Sequence, residues 1–398
     1  MVKRHHWLQQ IEHLWQRRPI IWLRGVRRTG KTSLAQSLDR SEYFDCELPR
    51  ARRAMADPES FLGGFRGKRL ILDEIHRLPD PSELLKIAAD HFPTVRILAT
   101  GSSTLGASSR FRDTLTGRKS ELWLTPMIQA DLTDFDEPDL PHRLLHGGLP
   151  PFFLSPEPPE RDFQEWMDAY WAKDIQELFR LLRRASFQRF VELLLNQSGG
   201  IFDATKFSRP CEVSRTTIAN YLAVIEATSV ALVLRPFSSN RSNEIIAAPK
   251  VYGFDTGFVC AHRGWSPLRP SDLGHLWEHY VLNELTAQLQ TNTLRYWRDK
   301  QGHEVDLIWQ PRGKAPVAIE CKWSARDFDP ANLLVFARAY PKATLLVTSP
   351  DARPGFTREF AGVNIQFLTL DRLVERLTLD PGVASPRPAE STKRKGPD

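Results

Sequence analysis

No apolar run in the 398-residue chain approaches the ~20 residues that a membrane helix needs. The first residues are no substitute: after Met1-Val-Lys-Arg-His-His, the segment is interrupted by Glu12, Arg17 and Arg18 and lacks the apolar region of a signal peptide. Cysteine is scarce as well. The four thiols (Cys46, Cys211, Cys260, Cys321) are scattered without a Cys-x-x-Cys pair, which excludes a disulfide framework and a thiolate zinc finger. Together these absences predict a cytoplasmic protein with no membrane contact and with reduced, mostly buried cysteines. Charge of one sign is only mildly in excess: the net +6 permits contact with a polyanion without requiring it. Hydrophobic residues make up 41%, enough for real cores, and the length is that of two or three domains.

The organisation changes along the chain. Up to about residue 125, short apolar runs at 19–24, 43–48, 69–73, 95–100 and 120–124 alternate with helical stretches, the pattern of a parallel sheet with crossover helices. A Gly/Pro-rich break at 146–151 and 155–159 follows, then a helical region to about 226 and short strands up to about 255. A last αβ block has a long helix from about 271 to 289 and strands at 294–298, 304–310, 317–323 and 343–348. The expected domains are 1–145, 146–269 and 270–378, with a disordered basic tail at 379–398. The expected fold class is α/β.

Gly25-Val26-Arg27-Arg28-Thr29-Gly30-Lys31-Thr32 fits G-x-x-x-x-G-K-[ST] and lies where that pattern works, after an apolar strand and at the opening of a helix. The glycines let the backbone curl around phosphates so that N–H groups, including those near Ser33, face the anion. Lys31 would reach the β- and γ-phosphates of ATP and Thr32 would ligate Mg²⁺. A second apolar strand ends in Asp73-Glu74; Asp73 is placed to hold the Mg²⁺ shell and Glu74 to orient or deprotonate the attacking water. The competing reading is a solvated acidic turn.

These elements resemble the additional-strand P-loop ATPases. That resemblance implies that the strand 96–100 lies between the two motif strands and that its tip presents Ser102, or alternatively Thr100, to the γ-phosphate. It also implies that Arg118, with Arg110 and Arg112 as rivals, projects toward a neighbouring subunit's nucleotide, and hence a homo-oligomeric ring such as a hexamer. More narrowly, the chain resembles bacterial and archaeal AAA-type ATPases with a conserved C-terminal domain of unassigned function. The likeness rests on 25–32, 70–74, 98–103, Gly117-Arg118, Gly147-Gly-Leu-Pro150, 170–174, 251–257, Trp297-Arg298, 304–307 and 319–322. Arg27-Arg28 is a departure, since relatives carry less charge in the loop.

Two further stretches suggest DNA. Around 202–222, a helix, a turn and a second helix capped by Ser214 read as a helix-turn-helix. Arg215, Thr216, Thr217 and Asn220 would face outward, with a following wing at 232–246 carrying Arg235 and Arg241. A lid that packs on the ATPase without touching DNA is the alternative. Near the end, His303-Glu-Val-Asp306 and Val317-Ala-Ile-Glu320-Cys-Lys322 resemble a restriction-endonuclease-like core. Alternate strand residues share a face, so Glu320 and Lys322 point together with Asp306 beside them. Asp306 and Glu320 would hold Mg²⁺, Lys322 would position water, and Glu278 would be an extra metal-proximal carboxylate. An active nuclease, a DNA-binding relic and a structural charge cluster all fit this pattern. The expected function is a DNA-dependent oligomeric ATPase; the alternatives are an ATP-regulated Mg²⁺ nuclease and an ATP-dependent signalling or defence switch acting through a protein-binding surface.

Overall fold

Five of the apolar runs become one parallel sheet: β1 (Ile20–Arg24), β2 (Ser41–Asp45), β3 (Arg69–Asp73), β4 (Arg96–Thr100) and β5 (Lys119–Trp123), in the order β2-β3-β4-β1-β5. All four pairings are parallel, with Leu23 opposite Thr100 and Leu72 opposite Ala99. The computed structural model describes residues 2–101, 114–176, 183–238 and 248–379. It divides into two units, Met1–Asn292 and Thr293–Asp398.

Alternation along each strand sends side chains to both faces of the sheet, and both faces are covered, as parallel sheets require. Ile20, Trp22, Leu70 and Leu72 pack on Leu84, Leu85 and Ala88 of the helix Pro81–His91. Ile21, Leu23, Ile71 and Leu98 pack on Trp7, Ile11 and Trp15 of the helix His5–Trp15. Each such fully buried side chain stabilises the fold by about 1.5–3 kcal/mol. As expected, β4 lies between β1 and β3, so the C-terminal ends of the three central strands are adjacent. The second strand stops at Asp45 rather than at 48. There the Asp45 carboxylate accepts from the Glu47 N–H at 2.8 Å, and Pro49 opens a helix, Pro49–Ala54.

The rest of the first unit is mainly helical, with a small antiparallel set, β6 (Gly200–Ile201), β7 (Ala231–Pro236) and β8 (Lys250–Gly253), in which β8 pairs with both others. Its core is aromatic: Phe152, Phe163, Trp166, Tyr170, Phe187, Phe190, Phe254 and Phe258 lie in one cluster. Trp166 stacks on Tyr170 and Phe254 with ring centres 5.3 and 4.9 Å away, which makes it a packing residue. Two motifs far apart in sequence meet here. The Asp255 carboxylate accepts from the Gly148 N–H (2.6 Å) and the Gly257 N–H (2.9 Å), and a Cβ on Gly147 would lie 2.0 Å from an Asp255 oxygen. The buried Arg143 joins them by donating to the Met127 carbonyl and the Thr256 hydroxyl, both at 2.9 Å. The helix Pro270–Leu289 also belongs to this unit, with Asn283 donating to the Pro126 carbonyl (3.1 Å) and Glu284 accepting from the Gln129 N–H (2.9 Å).

The second unit is α/β, with strands β9 (Arg295–Arg298), β10 (Glu304–Trp309), β11 (Val317–Cys321), β12 (Thr344–Thr348), β13 (Phe356–Phe360) and β14 (Val363–Leu368) in the order β13-β14-β12-β11-β10-β9. Helices Ala331–Ala339 and Leu370–Thr378 accompany them. The hairpin β13–β14 was not foreseen. Its two-residue turn, Ala361-Gly362, has positive φ at both positions (50° and 80°), the geometry that matches strand twist.

All four cysteines are buried and free, as expected. No helix among the described residues is long and apolar enough to cross a membrane.

Candidate nucleotide-binding site

The loop after β1 is shaped by close approach as much as by flexibility. A Cβ on Gly25 would sit 2.3 Å from the Leu124 carbonyl oxygen. Gly30, with φ 89°, turns the chain into the helix Lys31–Gln36. The Thr29 hydroxyl donates to the Val26 carbonyl at 2.9 Å, and Lys31 Nζ lies 2.9 and 3.0 Å from the Gly25 and Val26 carbonyls. Burial draws the Lys31 pKa below the ordinary lysine value, with the Glu74 and Asp174 carboxylates opposing it. Thr32 and Ser33 are exposed at the start of the helix, and Arg28 lies over the Phe152 ring at 5.4 Å.

At the end of β3, Asp73 is buried and held from both sides. It accepts from Tyr43 Oη at 2.6 Å and from the Thr100 hydroxyl. The Thr100 oxygen in turn accepts from the Glu74 N–H at 3.1 Å. Thr100 is therefore a clamp between the two acids. Glu74, in the left-handed region at φ 51°, carries its carboxylate 3.1 Å from His76 Nδ1. Burial works to raise its pKa, but the bond from His76 and the Lys31 charge outweigh that and hold Glu74 below the ordinary carboxyl value.

The P-loop, Glu74, His76, Glu47 and Arg77 line a cleft of about 480 Å³, to which Pro150, Pro151, Trp166, Ala169 and Asp174 add a further wall. Thr32 and the acids offer oxygen donors only, a set that suits Mg²⁺. Ser102, Arg110 and Arg112 lie outside the described residues, as do Arg241 and the basic tail. Arg118 pairs with Asp90 (2.7 Å) on the helix Pro81–His91 and is not part of the cleft lining.

Three family models match the chain in succession: an AAA domain at residues 17–133, a domain of unknown function (DUF8612) at 137–269 and a domain of unknown function (DUF4143) at 273–367. Residues 17–133 form an AAA-type P-loop ATPase domain. Uncharacterized proteins of Mycobacterium tuberculosis and Mycobacterium bovis are each 29% identical over 334 residues, 81% of this chain and 74% of the relative. Among solved structures, a Walker-type ATPase of Pyrococcus abyssi aligns over 66% of this chain and 96% of its own, with 15% identity and a TM-score of 0.41. The DNA clamp loader delta protein of Bacillus subtilis covers 70% and 99%, with 13% identity and a TM-score of 0.26.

Sequence reasoning missed four residues around the ATPase site. Arg4 is buried, donates to the Thr29 carbonyl (2.8 Å) and forks onto Asp131 at 2.7 and 2.6 Å, bracing the loop from outside. Tyr43 holds Asp73, and Asp174 stands 3.4 Å from Arg27. Asp174 closes the stretch 170–174 of the family likeness without a role attached to it, and no local motif marks the other three; each acts on a residue at least 25 positions away.

Beyond the cleft, Ser214 caps the helix Arg215–Ala227 by accepting from the Thr217 N–H at 3.1 Å, as expected. Arg215, Thr216 and Asn220 are exposed, whereas Thr217 is half-buried with its hydroxyl 2.9 Å from that of Ser214. Arg235 is paired with Glu226 at 3.0 Å. In the second unit, Glu320 lies 2.8 Å from Lys322 Nζ, and Asp306 accepts from the Cys321 N–H at 2.8 Å. Burial opposes it, yet Glu320 and Asp306 together push the Lys322 pKa above the ordinary lysine value. A register irregularity in the pairing with β9 falls between Val305 and Ile308, beside Asp306. Glu278, in the first unit, is held by Lys250 at 2.7 Å and by the Tyr252 hydroxyl. Among the described residues, no three or more His, Cys, Asp and Glu side chains gather as a metal-holding group.

Proposed function

We propose that ATP hydrolysis in the AAA-type domain serves an oligomeric, DNA-dependent machine, in which the helix Arg215–Ala227 faces DNA. One observation carries this reading. A helix, a turn and a Ser214-capped second helix precede the antiparallel pair β7 and β8, with Arg215, Thr216 and Asn220 exposed, which supports a winged-helix reading.

In the hydrolytic step, backbone N–H groups of the loop and Lys31 bind and orient the triphosphate. Thr32 and Asp73 would hold Mg²⁺, which supplies charge neutralisation on the transferring phosphoryl group. Glu74 is ionised at neutral pH and so accepts a hydrogen bond from the attacking water, while Thr100 and Tyr43 keep the neighbouring Asp73 in place. Arg118, half-exposed just before β5, is the candidate that would reach a neighbouring subunit's site. The triad Asp306, Glu320 and Lys322 supports a second reading in which the C-terminal unit acts on the same DNA as a Mg²⁺-dependent nuclease or holds it without cleavage.

The test is the rate of phosphate release from ATP with duplex, forked and single-stranded DNA at low salt. DNA is expected to raise the rate several-fold, with the effect fading steeply as salt increases. Arg215→Ala with Asn220→Ala should lose most of the stimulation and keep the basal rate. If all three DNAs leave both the rate and the assembly state unchanged, the DNA reading fails, and a nucleotide-dependent protein partner would then favour the switch. Intact DNA after incubation with Mg²⁺ or Mn²⁺ would remove the nuclease alternative.

A further inference from the structure

The fourth wall of the nucleotide cleft comes from the segment that follows the ATPase domain. It contributes a negative charge to a place built for a polyanion. Asp174 is 3% exposed and lines the same cleft as Arg27, Arg28, Lys31 and Thr32. Its carboxylate stands 3.4 Å from the Arg27 guanidinium and acts electrostatically on Lys31. Glu74 has a task in activating water and Glu47, also in the lining, stands 3.5 Å from Arg77, but phosphoryl transfer has no use for a buried carboxylate beside the P-loop cations. A carboxylate buried to this degree needs cations beside it, and the P-loop itself supplies them.

Asp174 belongs to a turn of π-helix, Trp171–Ile175, that continues the α-helix Glu160–Tyr170. Such turns are rare and often sit at functional sites. The same helix reaches the loop a second time, where Trp166 Nε1 donates to the Arg27 carbonyl at 3.1 Å. The neutral Trp166 bond is indifferent to charge in the cleft, whereas the Arg27–Asp174 pair is not: a terminal phosphate entering here offers Arg27 a stronger, multiply charged acceptor and repels Asp174.

We propose that Asp174 is a built-in stand-in for phosphate, a counter-ion of Arg27 that the terminal phosphate of ATP displaces, so that the segment carrying it registers a triphosphate and not merely a nucleotide. Asp174 is thus a specificity-determining residue. It lowers affinity for every phosphate-bearing ligand, and the effect is largest for the ligand with the most charge. Displacement releases the charged tether between the P-loop and the turn Trp171–Ile175, leaving the Trp166 bond in place. The inference rests on the ATPase reading of the same site.

The experiment measures ATP and ADP affinities in the Glu74→Gln protein, in which ATP stays intact, with and without Asp174→Asn. Removing the charge is expected to tighten ATP about tenfold and ADP by a smaller factor. A structural brace would give the reverse, because loosening the loop weakens both nucleotides alike. Hydrogen exchange on the protein with Asp174 unchanged supplies a second readout that does not depend on that variant folding: amides of residues 171–175 should exchange faster with ATP than with ADP. Unchanged or weaker ATP binding by Asp174→Asn, or exchange that does not distinguish the two nucleotides, overturns the proposal. If Lys31→Ala still abolishes binding in that case, the ATPase reading stands without it; if Lys31→Ala also binds normally, the ATPase reading falls too.

Discussion

Glu74→Gln is expected to bind ATP about as well as the unaltered protein and to hydrolyse it at least ~10²-fold more slowly, the scale on which a positioned general base contributes. The substitution keeps the side chain's size and its contact with His76 while removing the charge that accepts the water's proton. The geometry makes the effect specific. Glu74 is set in a left-handed backbone conformation at the end of β3, with its N–H fixed on the Thr100 hydroxyl, so its carboxylate can be replaced without moving Asp73. Phosphate release and nucleotide affinity, measured together, separate this outcome from general damage: a loss of both would mean that Glu74 supports the site rather than the reaction.

Asp131→Ala should be the most damaging substitution for stability. Both partners of the Arg4–Asp131 pair are almost wholly removed from solvent, at 4% and 0% side-chain exposure. Asp131 also accepts from Trp7 Nε1 at 3.1 Å and from the Ile128 N–H at 2.9 Å. Removing it leaves a guanidinium buried without its counter-charge, a change that costs roughly 3–5 kcal/mol. For a unit of this size, that corresponds to a fall of roughly 10 °C in the midpoint of thermal unfolding. Because Arg4 also holds the Thr29 carbonyl, ATP affinity should fall in the same variant. Calorimetry with and without ATP checks both effects, and a midpoint within a degree or two of the unaltered protein would show that the pair is not a brace.

The parts of the molecule that could be read from the sequence are those where one short segment carries its own signal. The central strands β1, β3 and β4 are continuous apolar runs because both faces are buried, and the loop 25–32 and the pair Asp73-Glu74 announce themselves by residue type at fixed spacing. Even the placement of β4 between β1 and β3 followed from the resemblance. What escaped was assembled across distance. Arg4 and Asp131 are 127 positions apart and Arg27 and Asp174 are 147, and nothing local shows that either pair meets. Thr100, the alternative to Ser102 as a hydroxyl offered to phosphate, has its oxygen committed to the two acids; that depends on strand register, which a single strand does not reveal. The hairpin β13–β14 was missed because its outer strand, Phe356-Thr-Arg-Glu-Phe, is half polar and exposed, as an edge strand can be. Thr217 was placed on the outer face by helical spacing, but at the third position of the helix its hydroxyl turns back to Ser214 instead.

The central claim is that the loop at 25–32 and the acids at 73 and 74 form one ATP-hydrolysing site. Phosphate release from ATP with Mg²⁺, compared between the unaltered protein and Lys31→Ala, tests it most directly. Steady turnover by the first, with loss of both turnover and ATP retention in the second, is the predicted result; a chain that neither holds nor splits ATP, or one indifferent to the change at Lys31, would contradict it.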